Sequence, residues 1–171
     1  LLYNIAYLYK IIGEIDKCNY FYKKLYHITE SRKIKNEIKK TIKTLGGELK
    51  NKVLIGSPIH QKPEILKEFL QSLKELNKEN LNVDYFFIDD NNIQESSELL
   101  RQFAIEEKTV IIYKSKYEDE YICDLNTHNW KEHLVWKVAN FKNNIIQYAK
   151  NVEYDYLFFI DSDLVLHPKT L

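Results

Sequence analysis

Residues 154–171 read YDYLFFIDSDLVLHPKTL. Within them Tyr156 to Ile160 is an unbroken apolar run bounded by Asp155 and Asp161, and such a run has the character of a strand covered on both faces. Over 154–161 it delivers an aspartate, Asp161, and one serine later a second, Asp163. Side chains alternate along extended backbone, so both carboxylates are expected to face one way, with Ser162 opposite. Neighbouring carboxylates resist joint ionisation unless a cation lies beside them. Oxygen-only ligands suit hard ions such as Mg2+ or Mn2+, which keep coordination positions open for phosphate oxygens.

Working upstream, the same texture repeats. KVLIGS reads as a strand and PEILKEFLQSLKEL as a helix with Pro63 in its first turn. VDYFFID is a strand, ESSELLRQFA a helix and TVIIY a strand. NWKEHLVWKVANFKNNIIQYAK is a long helix in which Asn129 and Glu132 have capping-box spacing. Short apolar strands separated by helices predict an α/β fold with a mostly parallel sheet covered on both faces. Such sheets bind ligands at the carboxyl ends of their strands. The loops to inspect are therefore GSPIHQKP, DDNN and DSD.

The first part of the chain differs. From Leu1 to about Leu45 apolar residues recur at helical spacing, with Ile34, Ile38, Ile42 and Leu45 on one face of a third helix. Gly46-Gly47 then supplies a left-handed helix end, which predicts two parts, 1–47 and 48–171. Within the first, Ala6, Tyr9, Gly13, Cys18 and Tyr22 follow the order of a tetratricopeptide repeat: small, aromatic, turn glycine, small, aromatic. The part resembles such a repeat, which implies further repeats upstream and a protein partner on their surface. A generic helical hairpin is the alternative. The lysines of SRKIKNEIKK are read as the solvated face of a helix rather than a membrane or nucleic-acid surface.

Composition sets outer bounds. The 171 residues carry 25 basic and 25 acidic side chains, so no overall field draws the chain to nucleic acid or an anionic membrane. Cys18 and Cys123 show no metal or disulfide spacing, which suits a reducing cytoplasm. No apolar stretch approaches the ~20 residues of a membrane span. The chain contains no methionine and is expected to be a fragment of a longer polypeptide.

Four elements together carry a resemblance. VLIGSPIHQKPEILKEFLQSL, YFFIDDNN, FKNNIIQYA and FFIDSD stand, in order and rough spacing, where glycosyltransferases of the GT-A fold, family 2 type, have their first strand and helix, their second strand, an Ala-Arg-Asn-x-Gly-Ile helix and the DxD motif. Asn91-Asn92 stands at that pattern's Gly-Ser, Lys142 at its arginine and Ile145 at its helix glycine. The resemblance implies a Rossmann-like nucleotide-sugar-binding half domain that transfers sugar from a nucleotide-sugar donor with Mn2+ or Mg2+. Pro58 would shape the loop beside the nucleotide, with His60 within reach of it. Asp89 or Asp90 would contact base or ribose, and Lys142 would stand at the arginine's place on the donor. Asp161 would contact ribose or metal, and Asp163 would ligate the metal. The catalytic base and the acceptor, whether glycan, peptide or protein, would belong to sequence beyond Leu171.

Two other readings use the same residues. HAD-type phosphatases also carry Asp-x-Asp after an apolar strand, but at the start of the domain and followed by Gly-Thr, where this chain has Leu164-Val165. A non-catalytic helical-repeat module with a relic nucleotide site is the other. His128 and His133 are five apart and face different ways on a helix. His167 is a metal neighbour or a turn residue before Pro168. Trp130 and Trp136 are expected to pack helix against sheet.

Overall fold

A computed structural model describes residues 1–79, 81–116 and 131–171. Asn129, His128, Trp130 and Cys123 lie outside the described residues. The chain divides into two compact units, Leu1–Lys50 and Asn51–Leu171.

The first unit is three helices: α1 (Leu2–Ile11), α2 (Ile15–Ile28) and α3 (Arg32–Thr44). Ala6 and Cys18 are fully buried, and Tyr22, Tyr26, Ile38 and Ile42 complete the core around them. Tyr9 stacks on Phe21 with ring centroids 5.4 Å apart. Gly13 adopts φ +80° between α1 and α2, and Gly46 φ +71° after α3. At Gly46 the chain closes a Schellman motif: Gly47 N–H donates to Ile42 O, and Gly46 N–H to Lys43 O. Ile34, expected in the buried stripe, is 41% exposed. It lies on the first turn of α3, and burial of that stripe begins at Ile38. Lys35 and Lys39 carry their ammonium groups over the Tyr26 ring, each 5.3 Å from its centroid.

Among the described residues the second unit is a four-stranded parallel sheet in the order β3-β2-β1-β4, with its flanking helices. Its elements are β1 (Asn51–Ile59), α4 (Pro63–Lys74), β2 (Leu81–Asp89), α5 (Gln94–Glu106), β3 (Val110–Lys114), α6 (Glu132–Asn151) and β4 (Tyr156–Phe159). The chain steps outward from β1 to β3, then crosses back to pair β4 with β1. Right-handed connections demand that the helices of such a path fall on opposite faces. They do. Val53, Ile55, Ile59, Tyr85 and Phe87 pack with Leu66, Phe69, Leu73, Leu100 and Phe103 of α4 and α5. The alternate residues Leu54, Phe86 and Ile88 pack with Phe141, Ile145 and Ala149 of α6.

Three expectations need correction. The last strand stops at Phe159, two residues short of Asp161, because the chain turns there: Leu164 N–H donates to Asp161 O. The chain then runs back, with Leu166 and Leu171 against the α4/α5 core and Pro168 O accepting from Asn77 N–H. The long helix begins at Glu132 with Lys131 as its N-cap, so Glu132 occupies the first helical position rather than the third that a capping box needs. Trp136 is 63% exposed rather than packed on the sheet. It sits one position off the buried stripe Leu134, Lys137, Phe141, Ile145 and Ala149.

Candidate functional site

All four strands run the same way, so the loops after β1, β2 and β4 meet at one edge of the sheet. Strand order reverses between β1 and β4, and the crevice outside the carboxyl ends at such a reversal is where open α/β sheets bind ligands. His60 and Gln61 leave β1, Asp90 and Asn91 leave β2, and Asp161 to Asp163 leave β4.

The loops after β1 and β2 are knitted together. Asp90 N–H donates to Ile59 O at 2.9 Å, and His60 Nδ1 lies 2.6 Å from Asp90 O. Gln61 N–H donates to Asn91 Oδ1 at 2.8 Å, and Ser96 Oγ donates to Gln61 O at 2.7 Å. Asn91 therefore uses its side chain where the resembling pattern has glycine. Its backbone does not enter the left-handed region that would favour glycine.

The two aspartates ending β2 face different surroundings. Asp89 is 3% exposed and turned inward. Its Oδ1 accepts from Asn91 N–H, Asn91 Nδ2 and Ser97 Oγ. Its Oδ2 lies 3.2 Å from Lys114 Nζ, which also reaches Asn91 O and Ser97 Oγ. These partners make Asp89 the brace of the β2 loop and the start of α5. Asp90 instead meets Lys137 of α6, whose Nζ is 2.8 Å from Asp90 Oδ2, with His60 Nδ1 3.7 Å from the same oxygen. The Asp90 side chain is 9% exposed, that of Lys137 6%. Asp90 Oδ1 is enclosed and accepts no hydrogen bond among the described residues.

These contacts decide the protonation of the pair. Burial alone would raise the Asp90 carboxyl, but the favourable influence of His60, Lys137 and Ser115 outweighs it and holds the group below its ordinary range. Hydrogen bonding with Asp90 raises His60 above its usual value, against the opposing effect of burial.

Asp161 and Asp163 are exposed while Ser162 between them is buried, so the turn after β4 presents both carboxylates outward. Two carboxylates on such a turn would suit a hard divalent ion that keeps water or phosphate oxygens as its remaining ligands. Among the described residues no group of three or more His, Cys, Asp or Glu side chains is disposed around one metal position. Pro58 is half-buried in β1, level with Ile88 of β2. Lys142 lies with its ammonium 5.9 Å from the centroid of the Phe159 ring at the end of β4. His133 is exposed, and His167 is a turn residue: its Nδ1 accepts from Lys169 N–H and its carbonyl from Thr170.

Sequence reasoning missed Lys137, Lys114 and Asn91. Lys137 had a signal, since it falls in helical register with Leu134, Phe141, Ile145 and Ala149, and a lysine on an apolar stripe needs a buried partner. Lys114 had none, because its partners Asp89, Asn91 and Ser97 belong to other elements; Asn91 had a local one, standing two residues after Asp89 and donating to it.

A parallel sheet with helices on both faces and polar loops gathered at its switch point defines a Rossmann-like α/β unit. Residues 50–171 match the glycosyltransferase family 25 N-terminal domain, and the chain belongs to that family. It is also similar to a glycosyltransferase 25 family member of Drosophila melanogaster, 26% identical over 121 residues that cover 68% of this chain. The chain spans 20% of the length of that relative. The motifs in the sequence resemble family 2 and the match is to family 25; glycosyltransferase is what the two have in common. No helix among the described residues is long and apolar enough to cross a membrane.

Proposed function

We propose that the α/β unit is the donor-binding part of a GT-A-type glycosyltransferase and holds a nucleotide sugar at the carboxyl edge of its sheet. The observation that carries this reading is the convergence of the β1, β2 and β4 loops at the switch point, within the stretch that matches family 25. Pro58 and His60 border the nucleotide from β1. Asp90 receives a hydroxyl or ring N–H of the nucleoside, and Asp89 supports it from behind. Lys142 lies toward the β4 end of the donor site. Asp161 and Asp163 are the residues that would hold Mn2+ or Mg2+. Such an ion, when bound, offsets charge developing on the departing nucleoside diphosphate. Family-2-like motifs support the GT-A assignment, and the order of small and aromatic residues in α1 and α2 supports a repeat-like surface for a protein partner. The acceptor is a glycan, peptide or protein.

Calorimetric titration with a panel of nucleoside diphosphates and UDP-sugars, with and without Mn2+, tests the reading. Binding that strengthens with Mn2+ is expected. Absence of nucleotide binding in both conditions would defeat it, and binding indifferent to the ion would remove the metal from it.

A further inference from the structure

Lys137 occupies a core position. It stands on the buried stripe of α6, is 6% exposed, and reaches Asp90 Oδ2 at 2.8 Å. Enclosed ion pairs are costly to desolvate, and apolar residues of similar volume often serve a fold as well or better. Packing alone therefore gives no reason for this pair. Its geometry does. Lys137 and His60 both approach Asp90 Oδ2, while Oδ1 is enclosed and lacks a donor among the described residues. An enclosed acceptor without a donor is uncommon enough to require an explanation.

We propose that Lys137 is a positioning residue of the donor site: it grips Asp90 by Oδ2 and so holds the carboxylate ionised and fixed where the β1 and β2 loops meet, in place for a hydroxyl or ring N–H of the bound nucleoside. The proposal rests on the donor-site reading of Asp90. Three groups act on the carboxyl from separate elements: His60 after β1, Ser115 after β3 and Lys137 on α6. Its neighbour Asp89 is occupied with Lys114 and Ser97. Removing the ammonium of Lys137 would leave Asp90 enclosed but less well matched, favouring its protonated form. A protonated Asp90 is a poorer acceptor for the nucleoside.

The test compares Lys137→Met, Asp90→Asn and the double variant in the full chain. Affinity for nucleoside diphosphate with Mn2+ is measured from neutral to acid pH, and thermal stability is followed in the same samples. Lys137→Met should weaken binding about tenfold and move the acid limb of the affinity profile upward by about one pH unit or more. In the Asp90→Asn background, Lys137→Met should add nothing, because the two residues act as one unit. A folded Lys137→Met protein with unchanged affinity and pH profile would overturn the proposal, as would fully additive losses in the double variant. If the wild type binds and Asp90→Asn binds equally well, the donor-site reading of Asp90 falls and the role of Lys137 falls with it. Should Lys137→Met alone not fold, the double variant lacks the uncompensated charge. Affinity equal to that of Asp90→Asn then supports the proposal, and a further tenfold loss overturns it.

Discussion

Ile145 of α6 occupies the space above Gly56 of β1: a Cβ added at Gly56 would lie 2.4 Å from Ile145 Cγ2. The resembling helix pattern has glycine where Ile145 stands, so in this chain the small residue is on the strand and the large one on the helix. Helix and sheet still approach closely. Gly56→Ala should therefore destabilise the α/β unit by about 1–3 kcal/mol through overpacking. In chemical denaturation, Gly56→Ala combined with Ile145→Ala, which removes the Cγ2 methyl, should cost less than the sum of the two single changes. Simple additivity would show that the two residues do not share this space.

Two carboxylates at the same edge of the sheet should respond in opposite ways. Asp89→Ala removes the acceptor for Asn91 and Ser97 and the partner of Lys114, and should cost about 2–4 kcal/mol because buried donors lose their partner. Asp161→Asn alters an exposed side chain and should stay within about 0.5 kcal/mol of wild type. Urea midpoints of the two variants measure the contrast. Equal effects would mean that Asp89 is not the brace its contacts describe.

The sheet was legible because its strands are short apolar runs punctuated by helices, and the left-handed end at Gly46 because two glycines stood after a helical stripe. Ala6 and Cys18 were expected to be small packing positions only through the repeat resemblance, and both are fully buried. The division of labour between Asp89 and Asp90 was not. Adjacent aspartates are equivalent in sequence, and they diverge here because Lys114 and Lys137 arrive from elements 25 and 47 residues away along the chain. The strand was read two residues too long, to Asp161, where a turn follows, although the expected alternation of exposed Asp161, buried Ser162 and exposed Asp163 is what that turn shows. Trp136 shows the complementary error, since size and apolarity suggested packing while helical register placed it off the stripe.

The His60–Asp90 contact should give stability a pH dependence of definite sign. His60 is raised above the ordinary 6.5, so its contribution is complete below that value and is lost as pH rises through the folded-state value. Asp90 is lowered from 3.8, so its contribution is present above that value and is lost as pH falls through the folded-state value. Between these limits the cluster should be insensitive to pH. Thermal midpoints from about pH 5 to about pH 9 should decline on the alkaline side in the wild type and flatten there in His60→Asn. Parallel curves would remove His60 from the titration.

The exposed pair after β4 gives the last prediction, for the proposed metal site. Asp163→Asn keeps the shape of the side chain and removes its charge, and the buried Ser162 beside it is untouched. Fold and thermal stability should therefore match the wild type. Binding of nucleoside diphosphate should not. Loss of an outer-shell partner typically weakens a metal site about 10–100-fold, so loss of a direct carboxylate ligand should reduce the Mn2+-dependent part of the affinity by at least about tenfold. The metal-independent part should persist, since Asp90, His60 and Pro58 are unchanged. Titrations of wild type, Asp161→Asn and Asp163→Asn with and without Mn2+ separate the two parts. If Asp163→Asn retains the full Mn2+ enhancement while Asp161→Asn loses it, the ligand is Asp161 alone. If both retain it, the ion is held elsewhere and the turn after β4 is a solvated loop.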